Sequence, residues 1–279
     1  MTRQKGQPPG LGRPGENPNL ATRGLTPFES PFESPFESWV AGVDGCPGGW
    51  LVVVRPLGDA GRARAVLLVT FAEVLALPEQ PAIIAVDMPI GLPARSGIGG
   101  RAADIEARAN LGARQSSVFA VPSRAAVMQA DYRQACAVAF ATSDPPRKVS
   151  KQCFNLFPKI RQIDALMTPQ QQLRVLECHP ELSFWALAGE QPLAQPKKVK
   201  SRPNPAGLAL RRGLLARAGY DRHFLDDRRA FRASQVGPDD LLDASACAWS
   251  AARIARGEGR RFPTVPPLDD TGLRMEIWG

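Results

Sequence analysis

The sequence predicts an α/β domain: a mixed sheet whose first three strands form an antiparallel meander and whose later strands are parallel, flanked by helices and carrying a helical insertion. Three observations predict it. Apolar runs at 39–43, 50–55 and 64–70 are separated only by short turn-forming stretches, as a meander requires. The run at 82–86 is apolar at every position, the pattern of a strand covered on both faces. The middle of the chain has mainly helical spacing.

Taken in order, the first run ends in Asp44 and is followed by Gly45-Cys46-Pro47-Gly48-Gly49, a turn sequence. The turn between the second and third runs spans 58–61, and 71–77 then has helical spacing. The fourth run stops at Asp87. Helices are expected over 101–111, 124–140 and 159–166, a fifth strand over 173–177, and a helix over 180–187. A basic, proline-broken stretch occupies 192–205. The last clear helix, 238–256, has Gly237-Pro238 at its entry, acids in its first turn and Gly257 at its exit. This order describes one domain over 39–279. Residues 1–38 are rich in Pro and Gly and end in three tandem PFES units. They cannot bury enough apolar area to offset their ordering entropy, and a disordered tail is expected.

Bulk composition narrows the function. No run of eighteen apolar residues exists, so no membrane span is expected, and no apolar segment follows the first charges as in a secretory signal. Cys46, Cys136, Cys153, Cys178 and Cys247 are scattered without a CxxC spacing, which suits reduced thiols in a cytoplasmic protein better than disulfides or a zinc knuckle. The net charge is +8, and residues 195–232 hold eleven Lys and Arg against three Asp, so that segment carries the whole excess. Such a local excess fits contact with a polyanion, with a solvated helix face as the alternative.

The acids carry the chemistry. Asp44 and Asp87 each follow a buried apolar run, where a carboxylate is costly unless paired or bound to metal. If the two strands are parallel neighbours, both side chains emerge at one edge, where open α/β sheets bind ligands. A turn-capping role would explain one such Asp; two, each followed by a glycine-bearing turn, point to a site. Asp240 and Asp243 share a helix face, and Asp243 is surrounded by Leu and Ala. Glu177 also ends an apolar run, and the adjacent His179 could hydrogen-bond a phosphate, shuttle a proton or hold a turn. Arg101 and Arg108 lie seven apart on one predicted face and, with Arg114 and Ser117, could bind phosphate or decorate a charged surface helix.

The stretches Val43-Asp44-Gly45-Cys46-Pro47-Gly48-Gly49-Trp50, Val86-Asp87-Met88-Pro89-Ile90-Gly91-Leu92-Pro93 and Glu177-Cys178-His179-Pro180-Glu181 resemble the DUF429 family of predicted nucleases with a ribonuclease H-like fold. Residues 101–124 and 239–244 are similar to it too, so the likeness runs over about 40–278. The resemblance implies Asp44 and Asp87 as core ligands of Mg²⁺ or Mn²⁺. The Asp-x-x-Asp-Ala pattern of Asp240–Ala244 is similar to the last acidic motif of Holliday-junction resolvases of this fold, and so implies Asp240 and Asp243 as further ligands. Glu177 is an extra acid, and which four converge stays open. The implied activity is two-metal phosphodiester hydrolysis on DNA or RNA. Two other readings remain: an actin-like kinase or ATPase, whose phosphate hairpin Gly45–Gly49 could imitate, and a metal-dependent hydrolase of a small phosphorylated substrate or nucleotide.

Overall fold

The computed structural model describes residues 1–2, 37–227 and 229–279, so the tail expected over 1–38 lies, from 3 to 36, outside the described residues. The chain divides into Met1–Pro35 and Phe36–Gly279, and the second unit carries the sheet and its helices. Strands β1 (Trp39–Cys46), β2 (Gly49–Pro56) and β3 (Arg64–Leu68) form the meander; α1 (Phe71–Leu75) then leads to β4 (Ile83–Asp87). The insertion follows as α2 (Ala102–Ala109), α3 (Arg124–Val127), α4 (Tyr132–Ala141) and α5 (Lys151–Asp164). After β5 (Val175–Glu177) come α6 (Pro180–Leu187), a hairpin of β6 (Lys198–Val199) and β7 (Arg202–Pro203), then α7 (Pro205–Arg217) and α8 (Arg222–Asp226). The chain closes with α9 (Asp240–Ala255) and a pair of short strands, β8 (Arg261–Phe262) and β9 (Ile277–Trp278).

The main sheet has five strands in the order β3-β2-β1-β4-β5. β1 pairs antiparallel with β2 and parallel with β4, β2 pairs antiparallel with β3, and β4 pairs parallel with β5. This is the predicted mixed sheet, and it is consistent with a ribonuclease H-like arrangement. Three details differ from expectation. The helix expected over 124–140 is broken in two, because Asp131 caps α4 by accepting from Arg133 N and Gln134 N, both at 2.9 Å. The helix expected from 159 begins at Lys151, where Ser150 accepts from Cys153 N at 3.1 Å, and it runs through Pro158 instead of starting after it. Strands β6 to β9 have two residues each, too few to leave a periodic signal.

Alternation along the strands divides the core. Ala41, Val43, Val52, Ile84, Val86 and Val175 face one way and pack with Phe157, Ile160 and Ile163 of α5. Val40, Ala85, Leu176 and Cys178 face the other way, against Cys247, Ala251 and Ala252 of α9. Helix α9 is set unusually close to β1. A Cβ added to Gly42 would overlap the backbone N of Ala248 and O of Ala244 and lie 2.7 Å from Ala248 Cα. The three nearest atoms are all backbone, so none of them can swing aside. Gly42→Ala should therefore destabilise the domain by at least the ~1–3 kcal/mol typical of overpacking, read by urea unfolding. Gly58→Ala, where an added Cβ meets nothing within 4 Å, should stay close to wild type. Equal effects of the two substitutions would contradict the close packing.

Candidate functional site

Register decides which acids meet. Asp44 on β1 stands directly opposite Asp87 on β4. Paired residues of neighbouring strands point to the same face, so both carboxylates project toward α9. From α9, Asp243 reaches back toward them, one turn inside the helix entry and only 4% exposed. Electrostatics records the approach: burial, then Asp87 and Asp243, hold the Asp44 carboxyl well above its ordinary range. Burial followed by Asp243 pushes Asp87 up to about 8. Burial raises Asp243 to about 7, against the opposing pull of Lys197.

Asp44 and Asp87 line a cleft of about 420 Å³ with Arg114, Ser116, Ser117, Gln152, His179, Glu181, Lys197, Lys198 and Asp239, and the lining Lys197 is hydrogen-bonded to Asp243. Among the described residues, no three His, Cys, Asp or Glu side chains converge closely enough to ligate one ion. The ammonium of Lys197 stands among them, hydrogen-bonded to Asp243 Oδ2 and 3.9 Å from Glu181 Oε1. The donor set nonetheless fits a hard divalent cation. It consists of carboxylate oxygens, and Asp243 Oδ1 and Asp239 Oδ1 are buried without a hydrogen-bond partner among the described residues. Mutual repulsion among Asp44, Asp87 and Asp243 is what such a cation relieves.

Several expected site residues are held in other contacts. Glu177 is paired with Val86, one step out of phase with Asp87, so its side chain leaves the opposite face of the sheet. There Arg101 grips it with bonds of 2.6 and 2.8 Å, and Ile90 N donates to it at 2.7 Å. Arg101 also binds Asp104 and the carbonyls of Ile90 and Gly91, so it is a buried brace for the turn after Asp87 and has no free donor face for phosphate. Arg108 is likewise spent on the carbonyls of Val118 and Gly99. Asp240 accepts from Gly237 N at 2.7 Å, and its neighbour Asp239 is the one that lines the cleft. His179 accepts from Glu181 N at 3.2 Å through Nδ1, and its Nε2 lies 3.3 Å from Ser117 O. Burial pushes that ring down to about 4, so at neutral pH it is an uncharged cap for α6. Arg114 and Ser117 do line the cleft.

The residues missed are Lys197, Glu181, Arg211 and Lys198. The three cations were visible as part of the basic segment, read as a polyanion contact or a solvated face, and Glu181 as the end of the Glu177–Glu181 stretch. Arg211, fully buried, binds Glu181 at 2.7 and 2.8 Å, and Lys198 pairs with Asp239 at 2.8 Å. Arg212 and Arg229 pair with Asp226 and Asp227. Lys197, Lys198 and Arg211 are thus spent on acids outside the segment.

A family model described as "Protein of unknown function (DUF429)" matches residues 42–268, which includes every acid of this cleft. The chain belongs to the DUF429 family. Searches of curated proteins and of solved structures each returned no match. Among the described residues of this DUF429 chain, no helix is long and apolar enough to cross a membrane, and all five cysteines are free and buried.

Two outcomes follow from this geometry. Glu177→Gln should lower stability by about 1.5–3 kcal/mol, the worth of hydrogen bonds to a charged group, and leave Mn²⁺ binding intact. Asp87→Asn should abolish Mn²⁺ binding without that loss; calorimetry and thermal melts read both, and the reverse pattern would return Glu177 to the ligand set. The raised carboxyls also set a pH dependence. The folded form holds more protons than the unfolded chain between the ordinary carboxyl value of 3.8 and about 8. The stability these groups contribute is therefore complete below about 4 and lost as pH rises through about 7 and 8, the values for Asp243 and Asp87. The metal-free melting temperature should fall over that window, the gain on adding Mg²⁺ should grow, and Asp87→Asn should flatten both.

Proposed function

We propose that this chain is a metal-dependent nuclease that hydrolyses phosphodiester bonds in the cleft between β1, β4 and α9. One observation carries the reading: Asp44 and Asp87 stand at facing positions of adjacent parallel strands, with Asp243 delivered from α9 onto the same face. Asp44, Asp87 and the unpartnered Oδ1 of Asp243 would hold Mg²⁺ or Mn²⁺. Such an ion, when bound, supplies a nucleophilic hydroxide at neutral pH and charge stabilisation for a phosphoryl oxygen.

The chain's own residues do the rest. Arg114 and Lys198 line the same cleft and offer cationic donors to the non-bridging oxygens of a phosphate. Neutral His179, tied to Ser117 O, fixes the wall that carries Ser116 and Ser117. Arg101 and Glu177 lock the turn after Asp87 from beneath, which holds that carboxylate in place. The described residues contain a single sheet of this kind, which weighs against the kinase-like reading, since that architecture repeats its core.

A panel of single-stranded, duplex, hybrid and branched DNA and RNA substrates, with Mg²⁺ or Mn²⁺, tests the proposal. Wild type should cleave at least one class. Asp44→Asn and Asp87→Asn should each cost several kcal/mol of transition-state stabilisation, about a thousandfold or more in rate. Equal background from wild type and both variants on every polymer would sink the nuclease reading. Turnover of nucleoside triphosphates or bis(p-nitrophenyl) phosphate alone would move the substrate to a small phosphate ester.

A further inference from the structure

A second cavity, of about 170 Å³, opens beside the cleft. The two share Phe119, and the first turns of α5 stand between them: Ser150 and Cys153 line the cavity, Gln152 and Leu156 the cleft. Hydrogen bonds tie the walls of the cavity to one another. Ser96 N donates to Thr142 O at 3.0 Å, and Asp144 N to Ser96 O at 2.9 Å. Ser96 Oγ donates to Val121 O at 3.0 Å, the hydroxyls of Ser123 and Thr142 lie 2.6 Å apart, and Arg147 N donates to Ser143 Oγ at 2.7 Å. The segments around 96, 121 and 143–147 are thereby braced as one frame.

The lining describes its occupant. Phe119, Ala139 and Val149 give the interior apolar walls, and burial pushes the Cys153 thiol up to about 12, so that it is uncharged. A cavity of ~150 Å³ lined in this way holds one benzene-sized ring. Arg147 and Lys148 also line the space and are exposed, and their side chains enter no ion pair or hydrogen bond among the described residues. A planar ring against an aromatic wall, with an anionic group beside two unpaired cations, is the chemistry of a nucleotide unit.

We infer that this cavity is a subsite for the base of a nucleotide flanking the scissile phosphate, with Phe119 as its stacking wall and Arg147 and Lys148 as phosphate contacts. The inference rests on the nuclease reading of the cleft and names the substrate class. A base enters such a cavity only when it is unpaired and unstacked, so the polymer is single-stranded or locally open.

Gly97 lines the cavity, and a Cβ added there meets nothing within 4 Å, so Gly97→Leu adds bulk without backbone clash or change of charge. Fluorescence anisotropy of a labelled single-stranded oligonucleotide and of its duplex, on the full chain with EDTA present, reads binding apart from cleavage. The single strand should bind more tightly than the duplex. Gly97→Leu and Arg147→Gln/Lys148→Gln should each weaken it about fivefold or more, the lower range for one stacked base. Circular dichroism and a thermal melt establish folding; should Gly97→Leu fail to fold, Phe119→Leu, which removes the stacking face, takes its place. Unchanged affinity in the folded variants, a loss confined to the charge-removing variant, or a duplex bound as tightly as the single strand would overturn the inference and leave the nuclease reading standing. Binding of uridine monophosphate but of no polymer, lost in Gly97→Leu, would assign the cavity to a free nucleotide and overturn the flanking-base role. Binding of neither would overturn it too, and the cleavage panel alone would then decide the nuclease reading.

Discussion

The contact on which the site depends is between two backbones. Helix α9 lies on β1 at Gly42 so closely that a single methyl group has no room. Small residues on the helix, Ala244, Ala248 and Ala251, complete the approach and are fully buried. The helix begins where the strand's carboxyl end opens, so the approach sets Asp243 against Asp44 and Asp87. A larger residue at 42 would lift the helix by more than the tolerance of a metal site, which is a few tenths of an ångström. Packing density and site geometry are here one constraint.

Around that contact the chain concentrates carboxylates that repel one another and then answers them selectively with its own cations. Glu177 receives Arg101, Glu181 receives Arg211, and Asp239 receives Lys198. Each pair is buried or half-buried, so each would be costly to break. Asp44 and Asp87 receive no such partner, and their raised proton affinities are the residue of that imbalance. A site left short of positive charge in an otherwise compensated interior is where the proposed cation would gain most by electrostatics.

Much of this was legible in the sequence. The apolar runs ending in Asp44 and Asp87 gave both strands and their acids, because a buried strand writes its hydrophobicity at every position. Asp243 was legible from its apolar neighbours. Lys197 and Arg211 were not, since a long cationic side chain reads the same whether it reaches into solvent or folds back onto a buried acid. The turn at 128–131 inside an apparently continuous helix was hidden because Asp131 reads equally well as an exposed helical residue and as a cap.

Glu177 shows why strand-end acids need more than their position. It ends a buried strand beside Asp87, just as Asp87 ends one beside Asp44. Yet the pairing is Val86 with Glu177, whereas Asp44 pairs with Asp87. Side chains alternate with period two, so that single step sends Glu177 through the sheet to Arg101 and leaves Cys178 on the cleft face. Register depends on the partner strand, which a single run of residues does not specify. The same acid, one residue later, would have stood in the row of Asp44 and Asp87; where it stands, it braces from below the turn that follows Asp87.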